Sequence, residues 1–253
     1  MEVKRYTVLT YIFGNYEKVH EIEAKDPEAD YVLVTDNPNL HSDTWRIVFD
    51  PMAGKSVFGK CYDVRFHPFR YADTDIVVRI DGSVAVRQSL REIVDKFEAG
   101  KYDRCVMIHP HRNLMADEYR KWVEVRGYRQ EQATRCMTVM ERMGYDLSTR
   151  GLIQATFEVL RNNEVNNRLN DLVFGLLTLM GEPGRIERLD QTVTSFVLQR
   201  FFCRAIKLLC VSERIITDGR LMQWYIHNSD MRIMLKEDMI EPYLFDKPCK
   251  IWK

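Results

Sequence analysis

Apolar and polar positions along this chain follow two periods, and the switches between them divide it into elements. VKRYTVLTYIF (3–13) is β-branched and aromatic and closes on the turn pair Gly14-Asn15, so it reads as a strand. YVLVTDNPN (31–39), broken by Asp36-Asn37-Pro38, and WRIVFDP (45–51) repeat that pattern. Between them, EKVHEIEAK (17–25) has helical spacing and stops at Asp26-Pro27. Residues 56–71 predict a helix that His67-Pro68 must end or kink. IVVRID (76–81) is an apolar strand ending in an aspartate. QSLREIVDKFEAGK (88–101) spaces Leu90, Ile93, Val94 and Phe97 at i, i+3, i+4 and i+7, with Gly100 as its stop.

YDRCVMIHPHR (102–112) reads as a strand delivering His109 and His111 to its C-terminal end. Residues 114–143 predict one or two helices around Gly127, and LIQATFEVLRN (152–162) alternates like a strand. In VNNRLNDLVFGLLTLMG (165–181), Leu169, Leu172, Val173, Leu176, Leu177 and Met180 form one helical stripe; LDQTVTSFVLQRFF (189–202) forms another. Strands alternating with helices in the first 110 residues predict an α/β fold with a mainly parallel, Rossmann-like central sheet, helices on both faces and a helix-rich C-terminal part. With no internal repeat, low-complexity tract or linker, one domain over 1–253 is expected.

Composition narrows the function. Among 253 residues, 45% hydrophobic and 29% charged content is that of an ordinary soluble globular protein. Thirty-seven basic residues balance thirty-seven acidic ones, which leaves no net field for a polyanion, so nucleic acid is not an expected partner. The cysteines (Cys61, Cys105, Cys136, Cys203, Cys210, Cys249) show no CxxC pair or zinc-type spacing and read as reduced thiols. MEVKRYTVLTYIF enters strand-like sequence without an apolar segment and small-residue cleavage site, so a cytoplasmic location is expected. The longest apolar stretch, LVFGLLTLM (172–180), is about half of the ~20 residues a bilayer span requires.

In an open parallel sheet, ligands bind at the carboxyl ends of the strands. The strand-end polar residues Thr10, Asp36, Asp81, Ser83, His109 and His111 are therefore candidates together. Asp81, followed by Gly82 where a ligand can approach the backbone, suits a divalent cation bridging to a diphosphate. On an extended segment Asp81 and Ser83 would face the same way and share that metal. The plain alternative is that Asp81-Gly82 is a turn dipeptide. Asp73-Thr74-Asp75 precedes its strand and reads as a solvated loop.

TYIFGNYEK (10–18), YVLVTDN (31–37), IDGSV (80–84), HPHRNLMADE (109–118) and LDQTVTSFVL (189–198) occur in an order that resembles a glycosyltransferase-A-like (GT-A) family long catalogued as a domain of unknown function. That family includes plant mucilage and turgor-regulation proteins and bacterial capsule-type sugar transferases. The resemblance covers roughly residues 6–200 and implies a nucleotide-sugar site, with a nucleotide-binding half over 1–112 and an acceptor and sugar-side half over 113–253.

The resemblance implies roles for single residues. Thr10, Tyr11 and Phe13 would meet the nucleobase and ribose, and Asp36 would contact the base. Asp81 would take the first position of an Asp-x-Asp metal motif whose last position here is Ser83, a weaker ligand than a carboxylate. His227 in YIHNSDMR would complete the metal set, unless it is an ordinary surface or core histidine. Arg65 or Arg112 would assist in neutralising phosphate. His109 and Arg112, with Asp117-Glu118, match the family's basic-then-acidic block, where Glu118 would receive an acceptor hydroxyl's proton. The alternative puts Asp117 and Glu118 on an exposed helix face, neutralised by Arg120 and Lys121. Asp190-Gln191 resembles a pair that lines the sugar pocket, and Asp190 is also a good helix N-cap.

The expected function is transfer of a sugar from a nucleoside diphosphate sugar, UDP-sugar favoured, to a glycan or lipid-linked hydroxyl in polysaccharide synthesis, with Mg2+ or Mn2+ as cofactor. A second expectation is an inactive sugar-binding or accessory protein, favoured by the missing second metal carboxylate. Hydrolysis of a lipid amide is a third reading, opposed by the absence of apolar spans and of a metal-binding histidine cluster. RFFCRAIKLLCVSER (200–214) mixes basic and apolar residues and would either touch an anionic membrane surface peripherally or finish the core.

Overall fold

The computed structural model describes residues 4–109, 112, 114–124, 130–146, 148, 150–181, 189–211 and 221–224. Its strands are β1 (Tyr6–Ile12), β2 (Ala29–Thr35), β3 (Arg46–Phe49), β4 (Ile76–Ile80), β5 (Val84–Val86), β6 (Arg104–Ile108), β7 (Ile153–Arg161), β8 (Leu208–Val211) and β9 (Met222–Trp224). The helices are α1 (Val57–Phe66), α2 (Arg91–Ala99), α3 (Met115–Glu124), α4 (Gln130–Arg142), α5 (Glu164–Met180) and α6 (Asp190–Val197).

Among the described residues, seven strands form one sheet in the order β3-β2-β1-β4-β7-β6-β8, while β5 and β9 pair separately. Only β7 runs against its neighbours in the large sheet; every other pair there is parallel. The result is an α/β domain with a mixed, mostly parallel sheet flanked by helices, as the alternation of elements predicts. From β1 the chain moves outward to β2 and β3, then crosses to β4 on the other side. Strand order therefore reverses between β1 and β4, which opens a crevice at their carboxyl ends.

The period of two along the strands divides the core into two layers. Tyr6, Val8, Ile12, Val78 and Ile80 pack with Ile93, Val94 and Phe97 of α2 on one face. Leu9, Tyr11 and Val77 pack with Cys61 and Val64 of α1 on the other, where α3 to α6 also cluster. The predicted stripe of α2 is fully buried. Each such side chain contributes roughly 1.5–3 kcal/mol. Gly100 caps that helix because a Cβ there would run into the Tyr102 ring. The left-handed residue is the next one, Lys101, at φ 50°.

Three local expectations are corrected. Residues 17–25 form no helix, because tertiary partners take their backbone groups: the Ile22 amide donates to Thr44 Oγ1 at 3.0 Å, the Glu23 amide to Val86 O at 3.1 Å, and His20 O accepts from Trp45 Nε1 at 2.9 Å. Helical spacing alone is a weak prior against such anchoring. Asp190 is the first residue of α6 and not its N-cap, which is Leu189, and the Asp190 carboxylate is used elsewhere. Cys61, Cys105, Cys136 and Cys203 are free thiols, but Cys210 is disulfide-bonded.

Asp73 and Asp75 are exposed in the loop before β4, as expected. No helix among the described residues is long and apolar enough to cross a membrane. In the 200–214 stretch, Phe201, Cys203 and Arg204 are exposed, whereas Ile206 and Leu208–Val211 are buried; 212–214 lie outside the described residues.

Candidate functional site

The crevice is shaped by an irregularity in β7. Val106 of β6 pairs with Glu158, but the next residue, Met107, pairs with Gln154, so Ala155, Thr156 and Phe157 have no counterpart on β6. Such a bulge frees backbone groups and re-aims side chains. The Ala155 carbonyl accepts from Arg79 Nη2 at 3.0 Å and from Arg65 Nη2, and the Thr156 carbonyl accepts from the Asp81 amide at 3.0 Å.

From there a chain of alternating charges runs out of the core. Arg104 Nη2 meets both oxygens of Glu158 at 2.9 Å, and Arg104 Nη1 donates to Asn170 Oδ1 at 2.9 Å. Arg79 Nη2 meets Glu158 at 2.5 Å, and Arg79 Nη1 lies 3.8 Å from Asp81 Oδ1. Arg65 Nη1 lies 3.9 Å from Asp81 Oδ1 and 2.6 Å from Asp190 Oδ2. Tyr62 donates its hydroxyl to Asp190 Oδ1 at 3.0 Å. Three guanidinium groups thus face three carboxylates. None of the arginines is stranded without an opposite charge, which burial demands.

Burial alone would raise the Glu158 carboxyl, but Arg104, Arg79 and Arg65 bring it down to about 2. Burial disfavours the charged form of Arg65, but Asp190, together with Tyr11, Asp81 and Glu158, outweighs it and holds the guanidinium well above the usual arginine range. Burial, and then Asp190, push the Tyr62 hydroxyl well up, so it stays a donor. Burial and the Asp81 charge push the Cys61 thiol to about 12.

These groups border a cavity of about 590 Å³. β1 contributes Tyr11, α1 contributes Cys61, Tyr62 and Arg65, and Asp81 stands at the end of β4. His109 and Arg112 line it beyond β6, Gln154, Ala155 and Thr156 line it from β7, and Asp190 and Gln191 from α6. Val57 and Phe58, 38% and 40% exposed, form an apolar lip. Gly82 is required beneath it: a Cβ would lie 2.7 Å from Tyr16 Oη and 2.9 Å from Tyr11 O. On the β6 side, Arg112 Nε lies 3.0 Å from His109 Nε2, and Arg112 Nη1 pairs with Glu118 Oε2 at 2.9 Å.

Seven residues chosen from sequence therefore share one cavity: Tyr11, Arg65, Asp81, His109, Arg112, Asp190 and Gln191. Others stand apart from it. Thr10 is buried on the opposite face of β1, and Phe13 is buried behind Tyr11 at a ring distance of 6.4 Å. Asp36 holds Lys60 at 2.8 Å and the Gly14 amide at 2.9 Å outside the lining. Burial works against its ionised form, but Lys60 and that amide bring its pKa down. Glu118 is fully buried, neither lining the cavity nor lying on an exposed face, and serves as counter-ion to Arg112. His111 and His227 lie outside the described residues.

The premise for a shared metal at Asp81 and Ser83 is corrected as well. The Val84 amide donates to Asp81 O at 3.0 Å, so residues 81–84 close a turn instead of extending, and Ser83 is not in the lining. Among the described residues no three His, Cys, Asp or Glu side chains gather as a metal cluster. Asp81 brings one carboxylate with two guanidinium groups within 4 Å, a poor match for the six or so oxygen ligands that Mg2+ takes. The described residues do not by themselves fit a divalent cation.

Sequence reading missed Tyr62, Arg79, Gln154 and Glu158. Two of these carried a signal: Arg79 inside IVVRI and Glu158 inside ATFEVL are charges in the middle of apolar strands, which need opposite partners. No family model matches the chain, and no curated protein resembles it at a significant level.

Proposed function

We propose that the cavity takes a nucleoside diphosphate sugar and that the protein, read as a GT-A-like enzyme, transfers the sugar to a hydroxyl acceptor. The observation that carries this reading is the pair Asp81 and Asp190, both set against the Arg65 guanidinium in a cavity where strand order reverses. A carboxylate fixed through both oxygens, as Asp190 is by Arg65 and Tyr62, is held rigidly enough to orient a sugar ring. Tyr11 lines the cavity from β1, which on this reading is the nucleobase end. Neutralising the leaving diphosphate falls to Arg112, which lines the cavity with its guanidinium held between Glu118 and His109. Glu118 on this reading is a positioning residue.

UDP is the favoured nucleotide, and a glycan or lipid-linked hydroxyl the favoured acceptor, in polysaccharide synthesis on the cytoplasmic side of a membrane. Exposed Phe201 and Arg204 support a peripheral membrane contact there. A second reading, an accessory protein that binds a sugar nucleotide without turnover, is supported by the guanidinium groups crowding Asp81 where a second metal carboxylate would be needed.

Release of UDP or GDP tests the choice. Incubation with UDP-glucose, UDP-galactose, UDP-N-acetylglucosamine and GDP-mannose, with and without hydroxyl acceptors, should give nucleotide release from one donor that is lost in Asp190→Ala. Binding without release would leave the accessory reading. Neither binding nor release in folded protein would sink both.

A further inference from the structure

Two side-chain amides in the cavity wall each leave one atom unpaired. Gln191 is 8% exposed, and its Nε2 is buried with no hydrogen-bond partner among the described residues; the same holds for Gln154 Oε1. Both residues line the cavity. A buried polar atom left unpaired costs roughly 1–3 kcal/mol, so two in one pocket call for a ligand that pairs them.

The backbones that carry the two side chains are also tied together. Ser195, fully buried in α6, donates its hydroxyl to Gln191 O at 2.7 Å and accepts from the Ile153 amide, next to Gln154, at 3.1 Å. One hydroxyl thus ties the first turn of α6 to the start of β7. The backbone positions of the two glutamines are thus fixed relative to each other before any ligand arrives.

We infer that Gln154, together with Gln191, reads a hydroxyl group on the sugar of the bound nucleotide, which makes Gln154 a specificity-determining residue. This rests on the nucleotide-sugar reading of the cavity. An amide NH2 and an amide C=O require a group that both accepts and donates, and a hydroxyl does both. Phosphate oxygens only accept and would set negative charge against the Gln154 carbonyl. Gln154 also lies on β7, separated from β1 and Tyr11 by β4, and its partner Gln191 adjoins Asp190, so the pair faces the sugar end.

Calorimetric titration of wild type, Gln154→Leu and Gln191→Leu tests this. The ligands are UDP-glucose, UDP-galactose, UDP-N-acetylglucosamine and GDP-mannose, each beside its free nucleoside diphosphate, and melting temperature is measured in parallel. Each leucine variant should lose at least about tenfold in affinity for the sugar nucleotide that wild type prefers, keep its affinity for the free diphosphate, and melt at or above wild type. Equal loss for the free diphosphate would mean that the pair reads a base edge, and undiminished sugar-nucleotide binding would mean that it reads nothing; either overturns the inference alone. A lower melting temperature with unchanged selectivity would return both amides to a structural role. Failure of wild type to bind any of these ligands would overturn the nucleotide-sugar reading and the inference together.

Discussion

Arg65 of α1 and Asp190 of α6 form an ion pair at 2.6 Å, with 7% and 14% of their side chains exposed. The contact joins a helix from the first half of the sequence to one from the second, at the wall of the cavity. Asp190 therefore serves the fold and the site at once, and the two roles separate by substitution.

Asp190→Asn keeps the shape but leaves the Arg65 charge buried against an uncharged amide. Breaking a buried pair in this way costs about 3–5 kcal/mol. Tyr62→Phe removes only the hydroxyl bond to the same carboxylate and should cost about 1 kcal/mol. Urea unfolding of the two variants measures both. An Asp190→Asn protein as stable as wild type would mean that the pair holds nothing together.

Glu158 contributes to acid stability. Its carboxyl falls from 4.5 to about 2 on folding, so the group is more acidic folded than unfolded. The stability it confers is complete above about pH 4.5 and is lost as pH falls toward 2. Glu158→Gln should be destabilised by about 3–5 kcal/mol at pH 7 and should show a flatter decline over that acid window. An unchanged slope in denaturant midpoints between pH 5 and pH 2 would assign the acid transition to other carboxylates.

Gly82→Ala places a methyl against Tyr16 Oη and the Tyr11 carbonyl. Overpacking of this kind costs about 1–3 kcal/mol. Because Tyr11 and Tyr16 both line the cavity, ligand affinity should fall along with melting temperature. Serine in place of alanine should do no better, since the clash is at Cβ.

Cysteine reactivity probes the cavity from another side. Cys61 lines it but has a thiol pushed to about 12, whereas Cys203 is exposed. With iodoacetamide at pH 8, mass spectrometry should find Cys203 alkylated first and Cys61 nearly untouched. Rapid labelling of Cys61 would mean that the cavity wall is more open than its packing indicates.

Much of the architecture was legible because burial writes a period into the sequence. The apolar runs of β1, β2 and β4 and the stripe of α2 fall where their patterns put them. Residues 17–25 were illegible because partners distant in sequence, Thr44, Trp45 and Val86, decide their backbone. The site was half legible. Strand ends locate Asp81 and His109, but Gln154 reaches the cavity through a bulge in β7, and no local pattern of residues 152–162 announces a bulge. Glu118 reads from sequence as either an acceptor-side base or an exposed helix residue, yet a fully buried carboxylate follows only from knowing that Arg112 folds back onto it.

The most direct test of the central claim is titration calorimetry of UDP and GDP on wild type and Asp81→Asn, in Mn2+ and in EDTA. The account predicts that one nucleotide, UDP in the favoured case, binds wild type in EDTA, and that Asp81→Asn binds it as well or better, because removing a negative charge beside Arg65 and Arg79 leaves more positive potential for a diphosphate. Failure of both nucleotides to bind folded wild-type protein under either condition would contradict it.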